Sequence, residues 1–436
     1  MLSANNIGIK LSNLFNMHDA RLFIIKIYIV ALCLITGTVV VSAFTYKKGD
    51  AFKAGTWKTV IQRKDGQQIV FNFEVKDTIG KKVIYILNAK ERLRVDSVKV
   101  DGDSVFIQLP FFESSFRAKI ADNSLQGNWI RHRGTKDQIM PFTALYSQPR
   151  FTTTATPTAN ITGRWAVRFT DVKSVDSISV GEFTQQGSHV TGTFLNPGGD
   201  YRYLEGVVSG DTLKLSTFDG GHAFLFTALI NADNTLNSGK FYAGPTGTQN
   251  WRAQKDAKAV LPDGYGIAKL KAGQSKLNFS FKSTGGQTVS INDARYKNKV
   301  VILQLMGSWC PNCMDETHFL SSYYSANHQR GVEVIGLAYE YTTDYQTSKK
   351  SLQAFQNRFN VQYPILVTGV TVMDSLATQK TLPQLQQIEA FPTSIFIDKK
   401  GNVRKIYTGY SGPATGEHFT AFKEEFNDLV DGLLAE

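Results

Sequence analysis

Cysteine is scarce: Cys33, Cys310 and Cys313 are the only ones in 436 residues. Three sulfurs exclude a structural disulfide framework, and they exclude a four-cysteine zinc or iron–sulfur site within one chain. Long runs of one charge are missing as well. The formal charge of +11 is spread along the chain, so no nucleic-acid footprint is visible and nucleic acid is not an expected partner. With 12 prolines, 36 glycines and 42% hydrophobic residues, the composition is neither collagenous nor disordered. A single core does not grow to this length, so several domains are expected.

Residues 27–44 are uncharged and strongly apolar, and they follow Lys10, Arg21 and Lys26, the layout of an export signal. Val41-Ser42-Ala43 offers small residues at the spacing a signal peptidase reads. The stretch also approaches the length that spans a ~30 Å hydrocarbon core, so residues 1–44 are read as a cleaved signal peptide or a retained membrane anchor. Met17 is an alternative start that would give a more ordinary leader. Leu32 precedes Cys33 where a lipoprotein would need a small residue. Both outcomes place the rest of the chain outside the cytoplasm, because the positive charges stay inside. The expected location is the periplasm or cell envelope. Only two cysteines remain there, in a compartment where disulfides commonly serve as staples, and one lone pair at redox spacing suggests work instead of reinforcement.

The middle of the chain repeats itself. Gly55-Thr56-Trp57 is echoed by Gly163-Arg164-Trp165, and Asp101-Gly102-Asp103-Ser104-Val105 by Ser209-Gly210-Asp211-Thr212-Leu213. Ala121-Asp122-Asn123-Ser124-Leu125 matches Ala232-Asp233-Asn234-Thr235-Leu236, and each copy closes on a tryptophan, Trp129 and Trp251. Short runs such as 70–75 and 223–226 are alternating or briefly apolar and are separated by turn clusters, which predicts antiparallel β structure. The Gly-x-Trp opening resembles the first strand of calycin barrels, the lipocalin and avidin type. Closure removes exposed edges, so two small barrels are expected over 45–150 and 158–256, joined through the Thr-rich segment 152–157. His222, Asp219, Tyr201 and Tyr203 are candidates to line a barrel mouth. The plainer reading, a hairpin turn at Asp219-Gly220-Gly221 and tyrosines packed in a β core, is preferred.

After a polar linker at 257–274 the pattern changes to alternating strand and helix, an α/β domain over 275–436. Residues 299–306 form a nearly continuous apolar run, as a strand buried on both faces should. Further strands are expected at 332–338, 393–397 and 403–408, with helices at 348–360 and 417–434. Trp309-Cys310-Pro311-Asn312-Cys313 follows the first strand. At that junction the free amides and dipole of a helix N-terminus would stabilise a thiolate on Cys310. Pro311 suits the first helical position, and Cys313 lies one turn on, within reach of a disulfide. Cys310 is therefore assigned as nucleophile and Cys313 as resolver.

The segment 275–436 resembles the TlpA-like, thioredoxin-fold family of exported thiol-disulfide oxidoreductases. Trp309 and the Cys310–Cys313 motif, Glu316 three residues later, and Phe391-Pro392-Thr393 before a late strand carry the resemblance. It implies a redox disulfide between Cys310 and Cys313, a cis Pro392 beside it, thiol tuning by Glu316, and no cofactor. It also implies protein disulfides as substrates and a membrane thiol-transfer protein as electron donor. Thioredoxins proper have an aspartate six residues before the first cysteine, where this chain has Gln304, so Glu316 is the candidate base for Cys313. His318 stands where the family has proline and is expected to pack or face water. Two alternatives remain at this level. A peroxiredoxin-type peroxidase would want threonine at Gly307, and a ligand-binding or adhesion protein would make the β repeats primary and the thiol domain accessory.

Overall fold

A computed structural model describes residues 52–436, apart from 111, 134, 135, 172 and 174. The expected signal peptide or anchor lies outside the described residues. No helix among the described residues is long and apolar enough to cross a membrane.

Both repeats are up-and-down antiparallel barrels. In the second, the strands from Gly163–Thr170 to Gly247–Lys255 pair in sequence and the last pairs back onto the first, so the ring of hydrogen bonds is closed. The first barrel is nearly closed. Its strands Glu91–Val95 and Ser97–Asp101 pair only backward and forward respectively, and the ladder is interrupted between them. Strand side chains alternate faces, so each sheet turns its buried row inward. Trp57, Phe71, Phe116 and Trp129 fill the first barrel, and Trp165, Phe194, Phe226 and Trp251 the second. Phe218 belongs to the second barrel by sequence, but it packs inside the first, stacked on Phe71 at 4.2 Å and edge-on to Trp129 at 5.2 Å. Three of the four candidate mouth residues take the plainer roles, while Tyr203 is half-buried at the edge of a cleft with Lys90 over its ring. Asp219 accepts hydrogen bonds from the amides of Gly221 and His222 and pairs with the His222 ring, while Tyr201 packs among Phe169, Phe226 and Phe241.

The C-terminal domain is thioredoxin-like. Its strands are β1 (Ser280–Ser283), β2 (Thr288–Ser290), β3 (Val300–Met306), β4 (Val332–Ala338), β5 (Ile365–Val367), β6 (Thr393–Ile397) and β7 (Val403–Thr408). They form one sheet in the order β2-β1-β5-β4-β3-β6-β7, with β3, β4 and β5 parallel. The helices are α1 (Pro311–Asn327), α2 (Tyr345–Phe359), α3 (Ala377–Thr381) and α4 (Glu417–Ala435). All seven residues of β3 are buried. Val300, Ile302 and Met306 face α1, α2 and α4, and Val301, Leu303 and Leu305 face the opposite side with Phe279 and Leu385. Two-faced burial explains the unbroken apolar run in the sequence. Helix α2 begins three residues before the expected position, because the Asp344 carboxylate caps it by accepting from the Thr347 amide. Strands β1, β2 and β5 and helix α3 were not expected. Each is too short to show a period.

Candidate active site

The Trp309–Cys313 turn stands where β3 hands over to α1. Cys310 is the N-cap of α1, with extended backbone, and Pro311 occupies the first turn. Cys310 and Cys313 are joined by a disulfide with their Cα atoms 5.2 Å apart. The amide of Cys313 donates to Cys310 Sγ at 3.2 Å, so one free N–H of the helix end already points at the sulfur that would carry charge. Cys310 is 4% exposed and Cys313 fully buried.

Phe391, Pro392 and Thr393 come to the same place at the start of β6, the antiparallel neighbour of β3 in the sheet. The Phe391–Pro392 peptide is cis, and the Phe391 carbonyl oxygen lies 3.6 Å from Cys310 Sγ. Thr393 is buried in β6, its hydroxyl donating to the Ala390 carbonyl. Trp309 is held by its indole N–H, which donates to the Tyr339 carbonyl at 2.7 Å, and its ring meets Phe391 edge-on at 5.7 Å. The indole also lies over Gly307, where a Cβ would come within 2.1 Å of its nitrogen. A threonine there, as a peroxidase pocket of the expected type would want, does not fit.

Beneath the cysteines lies a polar cluster. Glu316 is fully buried in α1; its carboxylate accepts from Gln304 Nε2 and from the Ser394 hydroxyl, both at 2.8 Å. Gln304 Nε2 also reaches the Cys313 carbonyl at 3.4 Å, and the Thr317 hydroxyl donates to its oxygen. Burial pushes the Glu316 carboxyl up to about 7, against the pull of these two donors. Gln304 is thus the group that ties Glu316 to the resolving cysteine. His318 is exposed and rests edge-on against Phe359.

Sequence reading missed several residues. Glu340, two residues beyond β4, accepts from the Ser308 amide and hydroxyl, and burial pushes it up to about 7, aided by Glu113 of the first barrel. Asp315 pairs with Arg202 of the second barrel. A buried glutamate after an apolar strand was the only local signal for the first. The second had none, because its partner is 113 residues away.

Fold and site together define a thioredoxin-like domain with a dithiol–disulfide pair at a helix N-terminus, preceded by two β barrels. Residues 271–420 match the Redoxin family. Curated relatives include "Thiol-disulfide oxidoreductase ResA" of Halalkalibacterium halodurans, 25% identical over 140 residues, 32% of this chain and 69% of that protein. The protein of the same name from Bacillus subtilis is 24% identical over 144 residues, 33% of this chain and 71% of that protein. Solved structures similar to this chain include a thiol:disulfide interchange protein of the thioredoxin family from Chlorobium tepidum, at 20% identity and TM-score 0.29, covering 37% of this chain and 96% of that one. A secreted thiol-disulfide isomerase from Corynebacterium glutamicum is also 20% identical, with TM-score 0.29, covering 40% and 95%.

Proposed function

We propose that the protein is an exported thiol-disulfide oxidoreductase that reduces disulfides of envelope proteins. The observation that carries this reading is the placement of Cys310 Sγ between the N–H of Cys313 and the backbone beside Pro392, with Cys313 close enough to join it. In the reduced enzyme the Cys310 thiolate attacks one sulfur of the substrate disulfide, forming a mixed disulfide and expelling the other sulfur as a thiolate. Cys313 gives up its proton and attacks Cys310, releasing the second substrate sulfur and leaving the Cys310–Cys313 disulfide. Two electrons pass from the dithiol to the substrate, and a membrane thiol-transfer protein would restore them. Trp309, Pro311, Phe391 and Thr393 shape the site; Pro392 and its neighbours offer backbone edges to an extended substrate.

Trapping tests the reading: Cys313→Ala should accumulate envelope proteins on Cys310 through a reductant-sensitive bond, and the absence of such adducts would defeat it. Direction is tested by equilibrium with glutathione, where a potential near about −120 mV would make the protein an oxidant. Glu316 is read as the acceptor of the Cys313 proton. Below pH 7 it holds its own proton and above it is a carboxylate, so the reduction rate should climb through that pH. Glu316→Gln should flatten the climb and lower the rate by roughly a hundredfold. An unchanged pH profile would remove Glu316 from the mechanism.

A further inference from the structure

The thiol site has a wall that its own domain does not supply. Residues 197–203 of the second barrel lie over the Trp309–Cys313 turn. Gly199 packs on Asn312 so closely that a Cβ there would sit 1.9 Å from Asn312 Nδ2, and its φ of +138° disfavours any other residue as well. A Cβ at Gly198 would lie 3.5 Å from Ala390, and one at Gly409 would come 2.5 Å from the Pro197 carbonyl oxygen. The Asp200 carboxylate accepts from the Gly412 amide at 2.8 Å and from the Arg202 amide at 2.6 Å. The Arg202 guanidinium pairs with Asp315 of α1 and Glu91 of the first barrel, and stands 3.4 Å from the Pro311 carbonyl. These contacts fall on the three edges that frame Cys310: the turn carrying the thiol, the segment before Pro392, and the turn after β7.

The loop is an addition to the repeat. In the first barrel, strands Lys81–Asn88 and Glu91–Val95 are joined by Ala89 and Lys90 alone. In the second, Asn196 and Leu204 occupy the matching strand ends and 197–203 stand between them. The added residues are the ones that pack on the turn carrying the thiol, through Asn312 and the Pro311 carbonyl.

We propose that residues 197–203, anchored by Gly199, Asp200 and Arg202, are the specificity-determining element of the thiol site: docked, they withhold Cys310 from disulfides on folded protein surfaces, and they must lift before such a disulfide is attacked. The inference rests on the redox reading above. Thiol attack needs the incoming sulfur brought into line at roughly 3–3.5 Å. A large partner cannot approach that closely without breaking the Asp200 and Arg202 contacts, whereas a small disulfide needs far less clearance. A cleft of about 670 Å³, lined by Trp309, Tyr341, Phe112 and Arg131 and by none of residues 197–203, opens beside the turn at Trp309.

Alkylation of Cys310 in the reduced full chain, read by peptide mass, tests this without any mutation. The ratio of its rates with a maleimide–polyethylene glycol and with iodoacetamide should be at least roughly tenfold lower in the folded chain than in urea, the factor that one charge-assisted contact supplies. Equal ratios in the two states overturn the proposal. Gly199→Ala, which adds the obstructing Cβ, and Arg202→Gln should each restore most of the ratio and speed reduction of insulin more than reduction of oxidised glutathione. A folded Gly199→Ala protein that keeps the wild-type ratio also overturns it. Should no form of the protein reduce either insulin or glutathione disulfide, the redox reading fails, and the alkylation ratio still judges the loop.

Discussion

The two barrels are copies of one module, and they meet the thiol domain through different loops. In the first copy Phe112, with Leu93, joins the apolar cluster of the thiol domain, and Glu113 accepts from the Ser351 hydroxyl of α2. In the second copy the hairpin matching that of Phe112 carries Phe218 and fills the first barrel instead, and the added loop 197–203 packs on Asn312, in the turn that carries Cys310. The first copy has a broken ladder at Asp96 and a short turn at Ala89-Lys90, while the second has a closed ring and the long loop. A barrel whose ladder closes on itself can carry a loop at its rim without losing strand pairing. The copy with the interrupted ladder draws core from its neighbour. Arg150 ties the two, donating to the Leu87 carbonyl in one barrel and the Ser216 carbonyl in the other, with Glu205 as its counter-charge.

The comparison can be broken at Phe218. Its ring is fully buried in the barrel it does not belong to, so Phe218→Ala should cost about 3–5 kcal/mol in urea unfolding. Phe112→Ala, at the rim of the cleft, should cost clearly less. Similar losses for the two would mean that the hairpins serve both copies alike.

A second test uses pH. Burial, with Asp315 nearby, pushes the Asp200 carboxyl up to about 6 from an ordinary 3.8. The stabilisation linked to the raised value is fully present below pH 4 and is lost as pH rises through 6. With one pKa unit equal to about 1.4 kcal/mol, that loss is on the order of 3 kcal/mol. Asp200→Asn should make unfolding free energies at pH 4 and pH 7 differ by that much less than in the wild type. Glu316 and Glu340 titrate in both proteins and cancel. An identical pH slope would show that the second copy is not docked through this carboxyl.

The smallest effect is expected where the first copy touches α2. Ser351→Ala removes the hydroxyl that donates to Glu113, and it should cost about 1 kcal/mol or less with the alkylation of Cys310 unchanged. A marked rise in alkylation would make the first copy a second cover for the thiol.

Much of this was legible in the residues. The Gly-x-Trp openings and the Asp-Asn-Ser/Thr-Leu echoes exposed the duplication, and alternation within short strands pointed to antiparallel β structure. Trp309-Cys310-Pro311-Asn312-Cys313 after a two-faced apolar run located the helix start and the dithiol together. Less legible were Glu340 and Ser308, whose partnership joins two loops, and the broken ladder at Asp96, where one residue separates strands that pair in opposite directions. Asn196-Pro197-Gly198-Gly199-Asp200 reads as an ordinary turn cluster. Nothing in it names its destination.

By itself, the amino-acid order determined the chemistry of the dithiol and the repeat, because a helix start, a cysteine spacing and a strand period are set by residues a few positions apart. Only the tertiary structure decided that Phe218 fills the other barrel and that Arg202 reaches Asp315. Such pairings depend on which surfaces meet after the chain has travelled a hundred residues or more, and they leave no periodic trace along it.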